Sequence, residues 1–152
     1  MQFKKGLINH PKVQSLITEH RQEMYQNSPH ESVHALNTGD FAQRNTLFWT
    51  LWEGEELLGC AAVRLIQLNH FELKSMRVVA KYRNKGLASS LITHIISYLE
   101  GQGAESISLE TGTAEYFKPA ISLYKKFGFI ECEPFGNYLP DPHSYFFTRS
   151  IS

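Results

Sequence analysis

Apolar residues recur at Val13, Leu16, Ile17 and Met24 within HPKVQSLITEHRQEMYQ, the rhythm of one helical face. Pro11 suits the first turn of that helix, where a missing N–H is harmless. SPHESVHALN reads as a loop or short helix, and TGDFAQRN as another brief helix with Thr38 as its cap. After that the period changes. LFWTLWE, Leu47 to Glu53, is a strand, and GEELLGCAAVRLIQL follows a Gly-Glu turn as its hairpin partner. FELKSMRVV turns Phe71, Leu73 and Met76 inward as a third strand. Leu87, Ala88, Leu91, Ile92, Ile95, Ile96 and Leu99 then mark a strongly amphipathic helix that ends near Gly101 to Gly103. SISLET is a short strand. KPAISLYKKFG is a helix with Pro119 near its start and Gly128 as its stop. FIECEPF and SYFFTRS are the last strands, joined by GNYLPDPH.

This order predicts an α/β (α+β) fold: a mixed, mostly antiparallel sheet in which one helical crossover makes a parallel pair. No repeat, low-complexity tract or linker interrupts the 152 residues, so one domain spanning 1–152 is expected.

Charge narrows the function classes. Fifteen basic and fifteen acidic residues balance, which removes any global electrostatic case for a nucleic-acid or membrane partner. Cys60 lies in the apolar run LLGCAAV and reads as a small buried hydrophobe; with Cys132 it forms no disulfide framework or zinc pattern. His30 and His34 lie at i, i+4 without an HExxH motif, so no metal is expected. The start MQFKKGLINH lacks the apolar core of a signal peptide, and Leu57 to Val63 is too short to span a bilayer. A soluble, reduced, cytoplasmic protein is the expectation.

The local exception is KYRNKGLASS. Lys81, Arg83 and Lys85 crowd the start of a helix, an end that already carries partial positive charge. The N–H groups there lack internal partners and bind anions, above all phosphate. Gly86 lets a ligand approach the backbone, Ala88 is nearly as small, and Arg83 and Lys85 add charge-assisted contacts. Solvated surface cations remain the plainer reading of the loop alone. Neither a GxxxxGK[ST] phosphate loop nor a GxGxxG dinucleotide fingerprint is present.

RNKGLA resembles the R/Q-x-x-G-x-G/A signature of the GNAT acetyltransferases, and AISLYKKFGF resembles that family's A-x-x-L-Y-x-x-x-G-F element. Both occur in the family's order, over roughly Phe48 to the C-terminus; ELKSMRV, LETG and DPHS are similar to a bacterial subgroup of small-molecule N-acetyltransferases. The resemblance implies a GNAT fold with a splayed parallel strand pair, and acetyl-CoA as co-substrate. It implies that the backbone of Arg83, Asn84, Lys85, Gly86, Leu87 and Ala88 cradles the pyrophosphate. It also places the backbone of Met76, Arg77 and Val78 along the pantetheine arm, an amide near Met76 or Val78 polarising the thioester carbonyl.

Tyr124 is then the candidate acid for the departing thiolate, since a phenol ordinarily titrates near about 10. Glu72 and Glu110 are candidate bases, although either can instead bind the substrate ammonium or face solvent, and a water chain can also serve. Phe117 stands where many members carry a cofactor-contacting asparagine, which puts that contact in doubt. His34, Lys74, Tyr138 and His143 are candidates to bind the acceptor, with Lys74 and Arg77 as a cationic pair for a carboxylate. The implied acceptor is a small amine or amino-acid-like metabolite, and a homodimer is allowed for. Acetylation of a protein N-terminus or lysine, and a CoA-binding regulatory module without turnover, are the alternatives.

Overall fold

The computed structural model describes residues 1–36, 39–43 and 45–151, so Thr38 and its expected cap lie outside the described residues. The strands are β1 Gln2–Lys5, β2 Thr46–Glu53, β3 Glu56–Gln67, β4 His70–Val78, β5 Ser106–Gly112, β6 Ile130–Glu131 and β7 Ser144–Ser150. The helices are α1 Pro11–Asn27, α2 Leu87–Gly101 and α3 Lys118–Lys126, with short 3-10 turns at His30–Ser32, Asp40–Ala42, Ala80–Tyr82 and Glu115–Phe117. The strands form one seven-stranded sheet of order β1-β2-β3-β4-β5-β7-β6. Every pairing is antiparallel except β4 with β5, the pair joined by the α2 crossover.

Alternation along the strands divides the core in two. Trp49, Leu51, Ala61, Val63, Leu73, Ile107 and Leu109 pack against Leu91, Ile92, Ile95 and Leu99 of α2. On the opposite face, Phe48, Trp52, Cys60 and Ala62 pack against Val13, Leu16 and Ile17 of α1. Each such aliphatic side chain contributes about 1.5–3 kcal/mol on burial, so these apolar stripes hold both helices to the sheet. Cys60 is buried as expected, and burial pushes its thiol up to about 12.

Two terminal strands differ from expectation. MQFKK contains β1, whose Phe3 stacks on His94 of α2 at 4.0 Å; with four residues it is too short to carry a periodic signal. Of FIECEPF, Ile130–Glu131 forms the paired strand, the amide of Cys132 still donates to the Phe146 carbonyl of β7 at 2.8 Å, and no strand pairing follows in the rest of the segment.

The decisive irregularity is in β4. Cys60 pairs with Arg77 and Ala62 with Lys74, so Ser75 and Met76 together oppose Ala61 alone. Ser75 takes a left-handed backbone, φ 53°, to absorb the extra residue. Cross-strand partners share a face. Lys74 and Arg77, an odd step apart, therefore both emerge beside Ala62 and Cys60 on the α1 side, together with Glu72. Gly59 permits the close approach this needs, since a Cβ there would sit 2.8 Å from the Arg77 carbonyl oxygen.

β4 and β5 then part. They pair only at His70–Ser106, Phe71–Ile107 and Glu72–Ser108, although the strands run on to Val78 and Gly112. Gly59→Ala should force the bulge apart and destabilise the protein by about 1–3 kcal/mol, the usual cost of overpacking. A urea-unfolding midpoint unchanged from wild type would show that the bulge tolerates the extra methyl.

Candidate active site

Where β4 and β5 diverge, a cleft of about 620 Å³ opens through the sheet. Fourteen of the residues singled out from sequence line it: His34, Glu72, Lys74, Met76, Arg77, Val78, Arg83, Asn84, Gly86, Leu87, Ala88, Glu110, Tyr124 and His143. Lys85 and Tyr138 do not. Lys85 Nζ lies over the Tyr82 ring, 5.7 Å from its centroid, and Tyr138 sits behind Glu72 and Lys74.

One end of the cleft is the turn into α2. Asn84 and Gly86 both adopt positive φ, 63° and 77°, and Arg83 through Gly86 are exposed. The first bond of the helix runs from Ser90 N to the Gly86 carbonyl at 3.1 Å, so the amides of Leu87, Ala88 and Ser89 precede any intrahelical acceptor. No side chain caps this end, and its first turn holds no acidic residue. A Cβ on Gly86 would meet nothing within 4 Å, so space above the turn is open. Lys81 and Arg83 each reach one carboxylate, Glu56 and Glu23, at a loose 3.7 Å.

The other end is lined by charge already paired. Glu72 is 1% exposed; its Oε1 accepts from Arg64 Nη2 at 3.1 Å, and its Oε2 accepts from Tyr138 Oη with Lys74 Nζ at 3.6 Å. Buried, and with each oxygen already accepting from another side chain, Glu72 is poorly exposed to an incoming proton, which counts against it as the base. Burial and then Glu72 raise the Tyr138 phenol, and burial lowers Lys74 although Glu72 opposes it. Lys74 also donates to the His34 carbonyl at 2.7 Å and to Tyr138 Oη at 2.9 Å.

Arg77 is tied elsewhere. Its Nη1 and Nη2 grip Glu23 of α1 at 2.7 and 3.0 Å, and Tyr116 Oη donates to the same carboxylate. That bidentate bond to Arg77 holds the Glu23 carboxyl at about 2, and burial followed by Arg77 holds His20 beside it at about 4. Lys74 and Arg77 do not share a carboxylate here: Lys74 approaches Glu72, and Arg77 grips Glu23.

Glu110 keeps the strand position expected of it. Burial raises its carboxyl while His34 and Ser144 oppose the shift. His34 Nδ1 lies 2.8 Å from both of its oxygens, and Ser144 Oγ donates to Oε2 at 3.0 Å. Ser32 Oγ donates to Asp141 Oδ2 at 2.6 Å, and the amide of His143 donates to Asp141 Oδ1 at 2.8 Å; the Ser32 bond ties the segment after α1 to the β6–β7 connection. Tyr124 projects from α3 into the wall, 8% exposed, and burial pushes its phenol up to about 12. Phe117 is buried against Gly112, where any Cβ would lie 2.1 Å from the ring. It fills the end of β5 with an apolar ring and offers no polar contact there.

Arg64, Glu23, Tyr116 and Ser144 were not legible as site residues. Glu19 and Glu23, one helical turn apart, both approach Arg77, a contact between distant segments that local spacing does not announce. Among the described residues no cluster of potential ligands could hold a metal ion, and no helix is long and apolar enough to cross a membrane.

Comparison with known proteins agrees with this architecture. The model of the acetyltransferase (GNAT) family matches residues 13–129. The uncharacterized N-acetyltransferase YsnE of Bacillus subtilis (strain 168) is 45% identical over 139 residues, 91% of this chain and 92% of that protein. The uncharacterized N-acetyltransferase YedL of Escherichia coli (strain K12) is 42% identical over 144 residues, 95% of this chain and 91% of its own. A solved Bacillus subtilis acetyltransferase in complex with CoA superposes with a TM-score of 0.68 at 18% identity, covering 99% of both chains. With its splayed parallel pair, glycine turn and matching relatives, the chain belongs to the GNAT acetyltransferase family.

Proposed function

We propose that this protein, acting as one domain over residues 1–152, transfers the acetyl group of acetyl-CoA to the primary amine of a small metabolite or amino-acid-like acceptor. The observation that carries the reading is the uncapped glycine turn of α2 opening into the same cleft that holds the Tyr124 phenol. The amides from Arg83 to Ala88, with the Arg83 and Lys85 side chains, bind the pyrophosphate. The backbone of Met76, Arg77 and Val78 orients the pantetheine arm along the open edge of β4, and an amide near Met76 or Val78 polarises the thioester carbonyl.

Tyr124 faces the sulfur. A phenol held at about 12 is a weaker acid than an ordinary thiol near about 8.5, so it stays protonated across the working range. Its contribution is a hydrogen bond that strengthens as charge builds on the departing sulfur, with proton transfer following. A binding module without turnover has no use for that hydroxyl. The small-amine reading over a polypeptide acceptor is supported by the bond between Ser32 and Asp141, which closes residues across the acceptor side of the cleft. His143 and Lys74 line that side beside His34, and Tyr138 backs it.

Acetyl-CoA at a hundredfold excess over Kd should stabilise the protein by about 2.7 kcal/mol in thermal unfolding. Gly86→Asp should abolish most of that gain, because it places a carboxylate where the phosphates sit and strains a φ of 77°. Arg83→Ala should lose far less, leaving the amides intact. Equal, small losses by titration calorimetry would put the anion elsewhere.

Tyr124→Phe should lower kcat by roughly 10²–10⁴ in a thiol-release assay across amines and amino acids, with KM for acetyl-CoA little changed. Near-wild-type turnover would make Tyr124 a packing residue.

A further inference from the structure

We propose that His34 is the residue that takes the proton from the acceptor's ammonium, and that Glu110 positions it for the task. The proposal rests on the acetyl-transfer reading and adds to it the base. His34 Nδ1 lies 2.8 Å from both Glu110 oxygens. A carboxylate has no hydrogen to donate, so Nδ1 carries the proton, and in the neutral ring the lone pair resides on Nε2. The Glu110 side chain is 10% exposed and that of His34 37%, so the pair has a buried anchor and an open end, and both line the cleft with Tyr124. Nε2 has no hydrogen-bond partner among the described residues.

The imidazole is held from three sides. Glu110 of β5 orients its ring, and Ser144 Oγ of β7 steadies Glu110 at 3.0 Å. Lys74 of β4 grips the His34 carbonyl at 2.7 Å. The Tyr138 ring, from the connection between β6 and β7, lies 5.0 Å from it, and Asp141 of the same connection is near enough to feel its charge. The Lys74 ammonium is balanced by Glu72, which leaves Glu110 as the charge in direct contact with the ring. Glu72 is the less accessible carboxylate, 1% exposed, with one oxygen accepting from Arg64 and the other from Tyr138.

The proton balance closes. The acceptor arrives as R–NH3⁺; one N–H bond breaks as Nε2–H forms, leaving a lone pair on nitrogen. That pair makes the bond to the acetyl carbonyl carbon, and the C–S bond breaks. The sulfur takes a proton from Tyr124, and the second nitrogen proton restores Tyr124 through water. His34 returns its proton to solvent, so ammonium and thioester become amide, thiol and one H⁺.

Two measurements test it on the full chain. Nitrogen-15 NMR of labelled protein should find neutral His34 as the Nδ1–H tautomer, and Glu110→Leu should remove that preference. An Nε2–H tautomer in the wild type overturns the proposal, because Nε2 would then have no lone pair. In the thiol-release assay with primary amines and amino acids, His34→Gln should lower kcat/KM by roughly 10²–10⁴ at neutral pH, with much of the loss recovered at alkaline pH, where the free amine forms unaided. With hydroxylamine, whose nitrogen is already unprotonated at neutral pH, the same variant should lose less than about tenfold. Wild-type turnover that His34→Gln retains, or equal losses with both kinds of nucleophile, overturns this proposal alone. No thiol release from wild type with any amine overturns the acetyl-transfer reading and this proposal with it.

Discussion

The structure turns on the place where β4 and β5 stop pairing. Glu72–Ser108 is the last parallel pair, yet both strands continue, β4 held by β3 and β5 by β7. Two strand edges thus face each other across a gap in mid-sheet, and their N–H and C=O groups have no ladder between them. Such groups demand a partner. An extended, amide-bearing chain of the kind found in pantetheine is chemically suited to that gap. The bulge at Ser75 and Met76 bends β4 away, and Gly59 gives it room.

The same divergence organises charge. On the α1 side of the gap each nearby carboxylate has a partner among the described residues: Glu72 pairs with Arg64 and Lys74, Glu23 with Arg77, and Glu110 shares a hydrogen bond with His34. Of these, only the Lys74–Glu72 pair is buried on both sides, and removing one of its members would leave the other uncompensated, commonly at a cost of about 3–5 kcal/mol. At the α2 end the balance differs. The turn combines uncapped amides with Arg83 and Lys85, and its nearest carboxylate contact is the 3.7 Å approach of Glu23 to Arg83. Uncapped amides beside exposed cations are the chemistry that suits an anionic ligand at that end.

Much of this was legible in the residues. The apolar stripe from Leu87 to Leu99 specified α2, while the apolar run LFWTLWE and the alternation in FELKSMRVV specified strands of the sheet interior. RNKGLA and SLYKKFGF located the turn and Tyr124 because both depend on local spacing. What escaped depends on contacts far apart in the chain. Nothing near Glu23 announces Arg77, fifty-four residues later, and nothing near Glu110 announces His34, seventy-six residues earlier. The bulge puts Lys74 and Arg77 on one face, but Lys74 meets Glu72 of its own strand while Arg77 meets Glu23 of α1. β1 and the shortened β6 escaped because edge strands of four and two residues bury too little for a pattern.

The central claim is that the gap between β4 and β5, entered over the α2 turn, receives CoA. Titrating nitrogen-15-labelled protein with CoA and following the backbone amides tests it most directly. The account predicts the largest shifts at Asn84 through Ala88 and at Met76 through Val78, with little change in β1 or in the back of α2 around His94. Saturable shifts concentrated away from those two segments, or none at concentrations that saturate thermal stabilisation, would contradict it.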